Sequence, residues 1–552
     1  MGVEGGCGEL TTSKIEIVRV SQRRDNPRLH KLRSNVQRIR NESGGLTFAS
    51  FLVFYQETAI QKWNEQARFS RTIGSTIVSA QQDTIMENEQ SSASLWANPD
   101  SFSPLLDKAR QFAGEYLDTL EKRPVFPTED SLKAMNMLDE PLPQSASDPV
   151  LSLKLLHEIG SHAAVAQTSG RYFGFVNGGI IPVGLAAKWV ADVWDQNTAH
   201  YVMSPINSRL EEICERWIVS LLDLPVGTAA GFVSGTTIAN FSGLCAGRNE
   251  LLRRRGWDVV KKGLYGAPRI RVIVGADAHA AVYKSISMLG LGSDNVEFVP
   301  ADEQGRMRPD QIPKLDEASL IVAQVGNVNS GAIDPIGAVS ERAHAVGSWV
   351  HVDGAFGLWA RVLPSMREIC DGIEKADSWS VDAHKTLNVP YDSGLILCRD
   401  REALTSAFKA SASYFQWSEH RDSMNFRPSM SNRARVIELW AVLKTLGREG
   451  LQELVDQLCQ NARLFARLLS EQDFQIHNEV VFNQVLVSCR EDALTTATLR
   501  NIQASGECWC GGSTWQGRAV IRISVCDWAT KAKDIERSVR AFVQARTAAI
   551  AE

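Results

Sequence analysis

Between Ser103 and Pro124 the segment SPLLDKARQFAGEYLDTLEKRP places apolar residues at three- and four-residue spacing and ends at a proline, which predicts an amphipathic helix. PVLSLKLLHEIGSHAAV and LEEICERWIVSLLDL carry the same period. Beyond them the pattern alternates. Short β-branched runs, RIRVIVG from Arg269, SLIVAQVG from Ser319, SWVHVDG from Ser348 and SGLILC from Ser393, are separated by helical stretches such as AHAAVYKSISMLGL and IGAVSERAHAVG. Strands alternating with helices predict an α/β fold: a mainly parallel sheet covered on both faces, with its site at the carboxyl ends of the strands. From Ser431 a long helical pattern with a break near Gly447 precedes strand-like VFNQVLVSC and RAVIRISVC, which predicts a small α+β C-terminal domain. The changes of pattern divide the chain into an extension over 1–90, an N-terminal helical segment over 91–165, a large domain over 166–405 and a small domain over 406–552.

The extension follows neither period. Its stretch VRVSQRRDNPRLHKLRSNVQRIRN is rich in Arg and Asn and reads as a tail or peripheral structure. A mitochondrial presequence is a sharper reading of an Arg-rich start, opposed by Glu4, Glu9 and Glu16. A third is a start at Met86, just before the first segment that resembles the body of a folded domain.

Composition narrows the classes of partner. The 552 residues are 44% hydrophobic and 22% charged, with a formal net charge of -5. That balance is globular and gives no electrostatic reason to expect nucleic acid or an anionic membrane. No apolar run is long enough to span a bilayer and no signal-peptide pattern leads the chain, so a chain that is not secreted is expected. The ten cysteines are scattered, and the close pair Cys508 and Cys510 lacks the two-residue spacing of zinc or redox motifs. Reduced thiols in a cytoplasmic protein, with no metal site, are the expectation.

The candidate chemistry gathers at strand ends. HVDGAFG sets Asp353 directly after one apolar strand, and SVDAHKTLNVPYDSG sets His384 and Lys385 after another, 32 residues beyond Asp353. Pyridoxal phosphate needs both groups: a lysine for the imine, and a carboxylate to keep the pyridine nitrogen protonated. Taken alone, each is more often a turn former or a solvated charge. VSGTTIANFSGLCAGRNELLRRRG supplies the third part. It places Ser234, Gly235, Thr236 and Thr237 at the start of a helix, where free N–H groups, small hydroxyls and the positive helix end would hold a phosphate. In GADAHAAV, His279 follows a further strand, where its ring could stack on a cofactor.

The run GNVNSGAIDPIGAVSERAHAVGSWVHVDGAFGLWA followed by ADSWSVDAHKTLNVPYDSG resembles the group II pyridoxal-phosphate-dependent decarboxylases, the family of aromatic-amino-acid and glutamate decarboxylases. SGRYFGFVNGG, WDQNTAHYVMSP, SNRARVIELWAVLKTLGREGL and CWCGGSTWQGRAVIRISVCDWAT continue the likeness in family order over roughly residues 100–545. The resemblance implies a fold-type I homodimer acting on a small-molecule amino-acid substrate, with Lys385 as the Schiff-base lysine. It implies Asp353 as the pyridinium partner, His279 as the stacking ring and Ala355 beneath the opposite face. Thr236 and Thr237 would hold the phosphate with His384 nearby, and Asn327 would contact the cofactor. The implied reaction is decarboxylation.

Many relatives draw the proton for the product from a tyrosine on a mobile loop, here expected near Trp417–Ser429. That stretch holds no tyrosine, and Phe426 falls near the expected place. Two outcomes stay open: His420 or Tyr414 supplies the proton and an amine is released, or O2 intercepts the reaction and an aldehyde results. Arg433, Arg435 and Arg522 could bind a carboxylate or form structural ion pairs, while Phe173, Phe175, Trp509 and Trp515 could shape a pocket or simply fill the core. Together the aromatics favour an aromatic or large apolar substrate.

Overall fold

The computed structural model describes residues 98–552 apart from Gln416 and Ser418. The extension over 1–90, with the presequence and Met86 readings attached to it, lies outside the described residues. The predicted first helix is α1 (Phe102–Thr119), and α2 (Pro182–Trp194) and α3 (Pro205–Leu221) follow, both opened by a proline in the first turn.

The large sheet comprises β1 (Ala229–Val233), β2 (Arg271–Gly275), β3 (Val296–Val299), β4 (Ser319–Gln324), β5 (Trp349–Asp353), β6 (Ser378–Asp382) and β7 (Gly394–Cys398), in the order β1-β7-β6-β5-β4-β2-β3. All pairs are parallel except those of β7, which runs antiparallel to both β1 and β6. The runs read as strands from the sequence are found at β2, β4, β5 and β7, although the reversed direction of β7 has no local signature. Helices α4 (Thr236–Arg254), α5 (Ala280–Met288) and α6 (Ile336–His344) cross over between these strands. Because side chains alternate along a strand, β5 sends Val350 and Val352 into one core and Trp349 into the other, which α4 closes with Leu244, Cys245 and Leu251.

After α7 (Arg401–Phe408) comes the long α8 (Val436–Ser470), broken at Gly447, whose φ of 60° is left-handed and suits glycine. A four-stranded antiparallel sheet follows, ordered β10-β11-β9-β8, from β8 (Gln475–Ile476), β9 (Gln484–Ser488), β10 (Gly511–Trp515) and β11 (Arg518–Ser524). Helices α9 (Asp492–Ser505) and α10 (Ala532–Ala551) pack with it around Phe465, Ile521 and Phe542. The nine cysteines among the described residues are buried and unpaired, Cys508 and Cys510 included. Among the described residues no helix is long and apolar enough to cross a membrane.

Candidate active site

The carboxyl ends of β1, β5 and β6 open on a cavity of about 320 Å3 lined by Ser234, Gly235, Thr236, Thr237, His279, Ala355, Asp382, His384 and Lys385, among others. The turn before α4 can sit there because Gly394 has no side chain: a Cβ on it would lie 2.5 Å from Gly235 Cα. Thr236 opens α4 with its Oγ1 buried and without a hydrogen-bond partner among the described residues. A helix start with a small hydroxyl at its first position is a ready anion site.

Lys385 Nζ lies 3.3 Å from Asp382 Oδ2, and His384 Nε2 lies 3.4 Å from the same oxygen. Burial opposes the charge on Asp382, but Lys385 and His384 outweigh it and hold the carboxyl below its ordinary range. The backbone N–H of Ser393 donates to His384 Nδ1 at 3.1 Å, so that nitrogen is bare and the ring hydrogen faces Asp382. Tyr391 stacks on His384 with centroids 4.2 Å apart, and its hydroxyl donates to Asn177 Oδ1 at 3.1 Å.

Asp353, at the end of β5, lines a small adjoining space that it shares with His279. Its Oδ2 accepts from Asn240 Nδ2 at 3.0 Å and its Oδ1 from the Ala355 N–H at 3.2 Å. His279 caps α5, its Nδ1 accepting from the Ala281 N–H at 3.2 Å. The remaining ring nitrogen therefore carries the hydrogen. Desolvation lowers the pKa of His279; Lys385 and Arg522 add to the shift while Asp353 and Asp382 oppose it, so the ring is neutral near pH 7.

These groups are what a pyridoxal phosphate requires, in one place: an amine, a carboxylate, a flat neutral ring and a phosphate cradle. Residues 153–490, more than half of the chain, match the pyridoxal-dependent decarboxylase conserved domain. The chain belongs to that family. It is a pyridoxal-phosphate-dependent carboxy-lyase. Among relatives of this decarboxylase, tryptophan decarboxylase 1 of Oryza sativa subsp. japonica is 26% identical over 473 residues, 78% of this chain and 90% of the relative. Phenylacetaldehyde synthase of Arabidopsis thaliana is 25% identical over 462 residues, 77% and 92% of the two chains. The solved structure of Oryza sativa TDC with PLP and tryptamine shares the fold, with a TM-score of 0.76 at 22% identity over 82% of this chain and 98% of that one.

Three groups of residues singled out in the sequence have surroundings that bear on their roles. Asn327 is fully buried and does not line the cavity: its Oδ1 accepts the Asn329 and Ser330 N–H groups at 2.8 and 3.2 Å, and its amide reaches the Asp277 carbonyl at 3.4 Å. It holds its own loop. Phe426 is a core residue, 8% exposed, with the Arg421 guanidinium 3.7 Å from its ring centroid. Arg421 in turn is fixed by Glu211 and Glu215 at 2.7 and 2.9 Å, so the chain from Arg421 onward belongs to the sheet edge and the exposed stretch ends at His420. Tyr414 is 77% exposed within that stretch, and the His420 ring stacks on Tyr201 at 4.0 Å. Arg433 and Arg435 both grip Asp392, at 2.8 and 3.0 Å, and so brace the loop after Lys385 instead of facing the cavity.

Arg522 on β11 differs from them. It is partly buried, its Nε has no partner among the described residues, and its charge is felt at His279. Trp509 stacks between Tyr172 and Phe175, with centroids 5.2 and 5.3 Å away, whereas Phe173 and Trp515 are buried. Gly174 makes room for that stack, since a Cβ would lie 2.2 Å from the Trp509 ring. Phe175 and Val176 both hold left-handed φ angles, 53° and 59°, which non-glycine residues rarely adopt. The bend brings Gly178 against the Lys385 carbonyl, 2.1 Å from where a Cβ would stand. The sequence had not marked Asp382, Asn240 or Tyr391. Asp382 was visible only as the carboxylate three positions before Lys385.

Proposed function

We propose that this carboxy-lyase removes the α-carboxylate of an aromatic or large apolar amino acid to give the amine, with Lys385 as the residue that carries the cofactor. The observation that supports this most is the cavity in which Lys385, the Thr236 turn and His279 face one another beside Asp353. Pyridoxal phosphate, when bound, supplies the electron sink that takes the electron pair of the breaking Cα–carboxyl bond.

The chain's own groups do the rest. Asp382 Oδ2, 3.3 Å from Lys385 Nζ, would hold the amine in place at the end of β6. Thr236 and Thr237 would hold the phosphate, with His384 beside them, and Asp353 would accept from the pyridinium N–H. His279 would lie on one face of the cofactor with its neutral ring, and Ala355 on the other. Arg522, whose Nε has no partner among the described residues, would orient the substrate carboxylate, and orientation decides which bond at Cα breaks. The stack of Tyr172, Trp509 and Phe175 supports an aromatic side chain, as do the names of the rice and Arabidopsis relatives given above. Tyr414 or His420 would supply the proton to Cα.

A second outcome, oxidative release of an aldehyde, is favoured by one observation: the core position of Phe426 leaves an exposed stretch whose tyrosine lies well before the expected place. Incubating the purified enzyme with a panel of amino acids, and measuring amine, aldehyde, peroxide and CO2 together, tests both. Amine without peroxide is expected; stoichiometric peroxide with no amine would overturn the preferred product. We further propose a cytoplasmic homodimer. Trp189, Val190, Val193 and Trp194 leave an apolar stripe of α2 exposed, and a second copy would cover it.

A further inference from the structure

Trp349, His351 and Asp353 alternate along β5 and so share one face; Ser378, Ser380 and Asp382 do the same on β6. The parallel register sets His351 beside Ser378 and Asp353 beside Ser380. Helix α4 closes on this face through glycines. A Cβ on Gly243 would lie 2.6 Å from the His351 ring, and one on Gly247 would lie 2.7 Å from the Trp349 ring. One turn earlier on the same helix stands Asn240, fully buried.

The hydrogen bonds among these residues can be directed. A carboxylate only accepts, so the end of Asn240 facing Asp353 Oδ2 at 3.0 Å is its amide nitrogen. Its carbonyl oxygen then points away and accepts from Ser380 Oγ at 2.5 Å and from His351 Nε2 at 2.9 Å. His351 must therefore carry its hydrogen on Nε2. The bare Nδ1 accepts from the Ser378 hydroxyl at 2.8 Å, and Ser378 Oγ accepts from Trp349 Nε1 at 3.1 Å. Burial lowers the pKa of His351 to about 3, consistent with a neutral ring. Every hydrogen in the series Trp349, Ser378, His351, Asn240 points towards Asp353.

We propose that Asn240, His351 and Ser378 are positioning residues whose one-way series of hydrogen bonds holds Asp353 as a fixed carboxylate for the cofactor's ring nitrogen. This rests on the assignment of Asp353 to that nitrogen. The opposite imidazole tautomer would set two lone pairs face to face at Asn240, and an unanchored carboxylate would be free to rotate away from its partner. Buried polar series of this kind are effective only when every member is satisfied.

The 15N shifts of His351 in the full-length apoenzyme, assigned by difference from His351→Gln, should report the neutral Nε2–H tautomer. Pyridoxal phosphate titrated into the apoenzyme and followed by absorbance should show the Kd raised in Asn240→Leu and His351→Leu by about 10- to 100-fold, the range lost when outer partners of metal ligands are removed. His351→Gln keeps a donor for Asn240 and should recover most of that loss, which a merely space-filling role would not produce. A neutral Nδ1–H tautomer, or wild-type Kd values in both leucine variants, would overturn the proposal. Asp353→Ala separates the two readings: weakened binding there with unchanged leucine variants removes only the series, whereas unchanged binding in Asp353→Ala removes the assignment of Asp353 itself.

Discussion

Lys385 Nζ and Asp382 Oδ2 stand 3.3 Å apart at the mouth of β6, an ion pair between the amine that would carry the cofactor and a carboxylate three residues before it. The pair fixes where the amine stands. Asp382→Asn keeps the shape and loses the ion pair that holds the amine in place, so cofactor capture by the apoenzyme should slow by up to roughly 100-fold, the cost of a misplaced reacting group. Stopped-flow absorbance after mixing apoenzyme with pyridoxal phosphate measures this rate. An unchanged rate would leave Asp382 with no part in it.

Acid stability should depend on His351. Its ordinary pKa is 6.5 and burial lowers it to about 3, so between those values the unfolded chain binds one proton more than the folded one. The stability this contributes is fully present above pH 6.5 and is lost as the pH falls through the window. In His351→Gln the unfolding free energy should therefore fall less steeply with acid, by up to ~1.4 kcal/mol per pH unit. Urea unfolding at several pH values gives the slopes, and parallel curves would contradict the shift.

The product-forming proton distinguishes Tyr414 from Phe426. Tyr414→Phe should divert product from amine towards aldehyde and peroxide if its hydroxyl serves Cα, and mass spectrometry of the products gives the ratio. Phe426→Tyr should leave that ratio as it was and instead cost ~1–3 kcal/mol of stability, because its new hydroxyl enters a buried site. A gain of amine in Phe426→Tyr would place residue 426 in the chemistry after all.

Arg522→Leu should lower kcat/KM by roughly 10- to 100-fold, the equivalent of ~1.5–3 kcal/mol for a charged hydrogen bond, without weakening cofactor binding. Steady-state kinetics beside a cofactor titration separates the two. Equal losses in both would assign Arg522 to the frame of the site and not to the substrate.

On the exposed face of α2, Val193→Glu puts a charge where Val193 is 65% exposed among Trp189, Val190 and Trp194. Sedimentation velocity should show monomer replacing dimer at micromolar concentration. A dimer that persists would move the interface elsewhere.

Much of this architecture was legible because apolar runs and strand-end polar residues coincide: Asp353 ends a strand that Val350 and Val352 disclose, and His384 and Lys385 follow one marked more faintly by Trp379 and Val381. What was hidden has particular causes. Strand β1 reads AAGFV and β10 reads GGSTW, too small or too polar to signal a strand. The direction of β7 is set by its neighbours on either side. Phe426 looked like part of a loop because the ion pairs that bury its segment join Arg421 to Glu211 and Glu215, more than 200 residues earlier in the chain. Asn240 and His351 were unremarked since a helix asparagine and a strand histidine acquire meaning only when two glycines let helix and strand meet.

Helix α4 carries Thr236 at its first position and Asn240 four residues on, so the two ends of the cofactor would be gauged against one rigid rod. At 1.5 Å per residue that interval is about 6 Å. The spacing between the residue that would grip the phosphate and the one that steadies Asp353 is thus a property of helical pitch, not of any loop. One residue inserted into that first turn would rotate Asn240 by about 100° and uncouple the two grips, while leaving every residue named above in the sequence.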